Sequence, residues 1–168
     1  MTTEKENFTN ILKTWLENFL RNKYSPEYEI KIIIPESNLS KLAIPEIKQV
    51  EDYSSLEFKP DILGILIKKS TKKIELVFLN REVSAIGLKK IGEMHCYSKL
   101  AKPKISFIVS SKGLPDEVNL LLLNEDIENS LLTYNKDKKI LVFKYNIKSK
   151  SVDKNSIFPI NKKGFLLE

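Results

Sequence analysis

The side chains best placed by type and spacing to do chemistry are a few carboxylates and one tyrosine. Asp61 follows Pro60 at the head of an apolar run, Glu75 lies in the next apolar run, and Asn80 closes that run. Glu93 and Tyr97 stand four residues apart in a segment of helical pattern, so they share one helix face. Carboxylate oxygens are the ligands that hard divalent cations prefer. Other chemistries lack their residues. His95 and Cys96 are the only histidine and cysteine, which excludes cysteine-cluster zinc, multi-histidine sites and a disulfide framework. Being adjacent, they also make a poor nucleophile–base pair. The five glycines are scattered, so there is no phosphate loop, and no Gly-x-Ser-x-Gly elbow occurs. Plainer roles stand beside the chemical ones: Asp61 as a strand-edge residue, Glu75 as a solvent-facing one, Asn80 as a turn former. His95 is read as packed or hydrogen-bonded, and Cys96 as a small buried residue.

These residues need elements to hold them. Phe8, Ile11, Leu12, Trp15, Leu16, Phe19 and Leu20 recur at helical spacing and predict a helix over residues 4–22 whose apolar stripe is core. Residues 29–34 read as a strand, and 38–53 as loop with a short helical turn. Residues 58–67 and 74–79 read as two strands of a hairpin across a polar turn. A helix is expected over 84–100 and a strand over 104–110, which makes strand 74–79 and strand 104–110 a parallel pair joined by a crossover. Short helices follow at 115–123 and 126–134, then a strand at 139–145. Residues 148–156 read as a polar, mobile tail, and 157–160 as an apolar patch docked on the core. The expectation is an α/β fold, one domain over 1–168, with a mixed β-sheet flanked by helices. Its core runs from about 8 to 113 and a C-terminal extension from about 114 to 168.

With Pro60-Asp61, the hairpin, the apolar strand, the helix and the next strand in this order, residues 56–113 resemble the restriction-endonuclease-like superfamily, the PD-(D/E)XK nucleases. The resemblance implies that Asp61 and a strand carboxylate hold one or two divalent ions, Mg or Mn, and that a lysine two residues on orients the attacking water. The RecB-like branch carries Gln-x-x-x-Tyr on the following helix. Here Glu93-Met-His-Cys-Tyr97 keeps the tyrosine and has Glu for Gln. The Glu-x-Lys tripeptide is degenerate. One register puts Phe78 at the carboxylate and Asn80 at the lysine. The other keeps Glu75 as a metal ligand with Asp61 but puts Val77 at the lysine, and leaves Glu75 on the opposite strand face from Asn80.

Charge adds a second line. The chain has 28 basic and 22 acidic residues, net +6, and the surplus is central: residues 58–112 carry net +8. Such an excess can recruit a polyanion, DNA or RNA. Lys89, Lys90, Lys99, Lys102, Lys104 and Lys112 are the candidate phosphate contacts. Lys89, Lys90 and Lys99 do not share a helix face, so any such surface is assembled from several segments. No apolar run is long enough to span a membrane. The acidic first residues and the lone cysteine lead to the expectation of a cytoplasmic protein. Three functions follow. The leading one is a degenerate nuclease-like protein that binds nucleic acid, or serves as an accessory, with little or no hydrolysis. The second is an active Mg- or Mn-dependent DNA endonuclease or exonuclease, in which Asp61 with Glu75 or Glu93 holds the metal and Lys89 or Lys90 replaces the missing lysine. The third is a structural or regulatory interaction protein. A homodimer or partner surface at Leu120–Leu123 is a further expectation.

Overall fold

A capping box opens the chain's first helix. Thr3 Oγ1 accepts the Glu6 N–H and the Glu6 carboxylate accepts the Thr3 N–H, which satisfies two donors at the terminus. In the computed structural model, which describes residues 3–168, this helix is α1, Glu4–Tyr24. It is followed by β1 (Tyr28–Ile33), then two 3-10 turns around α2 (Pro45–Lys48), then β2 (Ile62–Lys68) and β3 (Ile74–Glu82). Next come α3 (Leu88–Ala101), β4 (Ile105–Ser110), α4 (Asp116–Leu122) and α5 (Glu125–Leu132). The chain ends with β5 (Thr133–Asn135), β6 (Lys138–Asn146), β7 (Ser151–Val152) and α6 (Lys163–Leu167).

The strands form one mixed sheet in the order β1-β2-β3-β4-β6-β5, with β7 on β6. The first three are antiparallel, and β4 and β6 join parallel to β3. Side chains alternate across the sheet. Leu63, Ile65, Leu76, Phe78 and Ile108 pack under α3 through Ile91 and Met94. Leu66, Val77, Leu79, Phe107 and Phe143 pack under α1 through Phe8, Leu12 and Leu16. Gly64 permits the close approach of α1: a Cβ there would stand 3.0 Å from the Val77 Cβ and 3.1 Å from the Leu20 Cδ1.

The hairpin, the crossover and the helical stripe agree with the sequence reading, and the mixed sheet flanked by helices is the expected fold class. Several expectations are corrected. The strand expected from residue 58 begins at Ile62, because Phe58–Asp61 is the loop that delivers Asp61 to the sheet. The helix expected from residue 84 begins at Leu88, because the Ser110 Oγ–H donates to the Ser84 carbonyl and holds that segment in a bend. The tail over 148–156 carries β7 on β6, with Ser156 Oγ accepting the Lys144 N–H. From the region after Gly113, β6 lies hydrogen-bonded beside β4. Of the patch at 157–160, Ile157 and Phe158 dock on the core and Ile160 is exposed. Cys96 is exposed rather than buried.

Candidate functional site

The loop before β2 and the end of β3 meet at Asp61. The Asp61 N–H donates to Asn80 Oδ1 at 3.3 Å, and Asp61 Oδ2 accepts the Arg81 N–H at 2.9 Å. The carboxylate thus extends the β2–β3 ladder by one rung. Its other oxygen faces the Arg81 guanidinium at 3.8 Å. That guanidinium is nearly buried, with its side chain 9% exposed, and its Nε–H donates to Thr9 Oγ1 of α1. A cleft of about 580 Å³ opens over Asp61 and Arg81, with Lys5, Lys59 and Glu6 on its walls. Two residues beyond Asn80, Glu82 pairs with Lys90 of α3 at 3.3 Å.

The hydrogen bond from Asp61 fixes the register. Asn80 is the residue opposite Asp61, and Glu82 follows two residues on, on the same strand face as Asn80. Glu75 is not brought to Asp61. It pairs with Leu66, five residues along β2, on the order of 17 Å away by strand rise. It belongs to a different cluster on the α1 side, where Glu75 Oε2 accepts from Tyr28 Oη–H at 3.0 Å and from Lys104 Nζ at 3.1 Å. Burial pushes the Glu75 carboxyl up, but Lys104 with Tyr28 and Lys73 outweighs that and holds it below the ordinary value. Tyr97 stacks on Phe58 at 4.6 Å, and Phe58 meets Phe78 at 5.2 Å, so Tyr97 braces the loop that carries Asp61. Its hydroxyl donates to the Glu57 carbonyl at 3.3 Å. Glu93, one turn earlier, is exposed. His95 is hydrogen-bonded, its Nδ1 lying 2.8 Å from the Leu131 carbonyl oxygen.

The candidate lysines divide between the two ends of the sheet. Lys89 and Lys90 open α3 and Lys112 follows β4, all at the Asp61 end. Lys99, Lys102 and Lys104 lie near the far end, where β3, β4 and β6 begin. Sequence reasoning missed Arg81, although it is one of only two arginines in a lysine-rich chain. Arginine is the cation suited to burial beside a carboxylate, and that rarity was the available signal.

The donor set at Asp61 does not fit a divalent cation. One carboxylate is occupied by Arg81, its neighbour is a neutral amide, and Glu82 is tied to Lys90. Among the described residues no group of three His, Cys, Asp or Glu side chains is arranged to hold a metal ion. No helix among them is long and apolar enough to cross a membrane.

No protein-family model matches the chain. No curated protein matches it. Among solved structures it is similar to the MspJI restriction endonuclease in complex with a 27-mer oligonucleotide, at a TM-score of 0.44 and 11% sequence identity. The similarity covers 73% of this chain and 24% of that one, so the chain spans about a quarter of that relative's length.

Proposed function

We propose that this chain is a nuclease-like scaffold that binds nucleic acid through its phosphates and does not hydrolyse it. One observation carries the reading: at the place where the fold would pair two carboxylates, Asp61 is locked to Arg81 and faced by the amide of Asn80. A fixed guanidinium supplies the compensating charge that a metal would otherwise bring. The net +6 of the chain supports the polyanion.

The test is a cleavage assay on labelled single-stranded, duplex and branched DNA with Mg²⁺ or Mn²⁺, with Asp61→Ala alongside. Neither protein is expected to cut. Turnover by the wild type that both Asp61→Ala and the better-folded Asp61→Asn abolish, with each variant shown by its melt to be folded at the assay temperature, would establish the active nuclease instead.

A further inference from the structure

A cluster of lysines lies at the end of the sheet away from Asp61. Three turns meet there: the β2–β3 turn, the α3–β4 connection and the β5–β6 turn. They enclose a cleft of about 530 Å³ lined by Lys72, Lys73, Lys102 and Lys138, with Glu75 inside and Glu51 also lining it. Lys104 stands in an adjoining pocket of about 170 Å³ that shares Lys138 and also holds Asp137, Lys139 and Lys162.

The acid in this cleft does not balance it. Glu75 is taken by Lys104 at 3.1 Å and lies 4.0 Å from Lys73. Among the described residues the Lys138 ammonium hydrogen-bonds to the Lys102 carbonyl alone, at 3.1 Å. Burial, and then repulsion from Lys73, Lys104 and Lys102, outweighs Glu75 and holds Lys138 below its ordinary value. Two of the lysines sit on left-handed backbone, Lys72 at φ 60° and Lys102 at φ 49°, where glycine or asparagine would be less strained. Crowded like charges of this kind are relieved by an anion.

We propose that this cleft, and not the Asp61 end, seats the phosphates of a bound nucleic-acid strand; the proposal rests on the reading of the chain as a nucleic-acid binder. The site is built from lysines, which act as point charges without the planar fork of arginine. They neutralise backbone phosphates and carry no base information, so binding is independent of sequence. Spread over three turns, they suit a run of phosphates better than one small anion.

The experiment measures fluorescence anisotropy of labelled single-stranded and duplex oligonucleotides between about 50 and 200 mM salt. It compares the wild type with the triple variant Lys72→Gln, Lys73→Gln, Lys102→Gln. All three side chains are exposed, so the fold is retained. A second triple variant, Lys148→Gln, Lys150→Gln, Lys154→Gln, removes the same charge elsewhere. The cleft variant is expected to lose roughly tenfold or more in affinity and about two to three from the log–log salt slope. The second variant is expected to bind as the wild type does. Wild-type binding that falls equally in both variants, or in neither, overturns the cleft and leaves the nucleic-acid reading standing. No wild-type binding at the lowest salt overturns both. Tight binding of inorganic triphosphate without binding of either oligonucleotide overturns the nucleic-acid source and assigns the cleft to a small phosphate.

Discussion

Asp61 and Arg81 are joined twice, by the Arg81 N–H to Oδ2 at 2.9 Å and by the guanidinium to Oδ1 at 3.8 Å. The second contact is long, and Asp61 is partly exposed, so the backbone hydrogen bond carries most of the link. Asp61→Ala leaves the Arg81 peptide N–H without its acceptor and a nearly buried guanidinium without its nearby carboxylate. It is expected to lose about 2–3 kcal/mol of stability in urea denaturation. Asp61→Asn keeps one acceptor oxygen and is expected to lose less. Stability unchanged in both would mean that the carboxylate is not a structural clamp.

A second carboxylate can be set opposite Asp61. Asn80→Asp places a second anion opposite Asp61 and removes neither Arg81 contact. Like charges at a cross-strand pair are destabilising, so the variant is expected to melt below the wild type. Mg²⁺ or Mn²⁺ is expected to recover part of that loss, because two carboxylates can share an ion. The wild type is expected to show no metal-dependent shift. Equal metal-dependent shifts in both proteins would show that the native donor set already holds a cation.

Glu75 sets part of the acid limb of stability. Its folded-state value lies below the ordinary one, where Lys104 and Tyr28 outweigh burial. A carboxyl of lowered value contributes stability that is present above the ordinary value of 4.5 and is lost as the pH falls through the folded value. Glu75→Gln is therefore expected to be less stable than the wild type at neutral pH, with the gap closing below pH 4.5. Thermal melts across that range check it. A gap that stays constant with pH would show that the loss is steric and not ionic.

Phe107 is the centre of the α1 face. It is fully buried, 5.6 Å from Trp15, 5.7 Å from Phe19 and 6.2 Å from Phe143. Phe107→Ala empties that site and is expected to lose about 3–5 kcal/mol in urea denaturation. A loss under about 1 kcal/mol would mean that α1 collapses onto the gap, against the packing described.

Much of the framework was legible because it is written in local periodicity. The stripe from Phe8 to Leu20, the hairpin around 69–73 and the crossover through α3 are patterns of near neighbours. So was the face of Glu75: an odd separation from Asn80 puts them on opposite sides, and the structure agrees. Register was not legible. Whether Asn80 faces Asp61 depends on where β2 starts, and a shift of one residue flips every side chain. The lysine cleft was hidden for another reason. Its residues come from three turns that only the sheet order brings together, and that order includes β6, placed beside β4 by the region after Gly113.

The margins of the sheet bear on self-association. An open strand edge is a template for pairing with another molecule, and natural sheets guard it with charge or by keeping it short. The outer margin of β1 carries Glu29 and Lys31, and Lys31 is held by Glu46 of α2. The opposite margin ends in β5 and β7, of three and two residues. Neither border offers a long apolar ladder, so copies of this chain can crowd together without their sheets fusing into fibres.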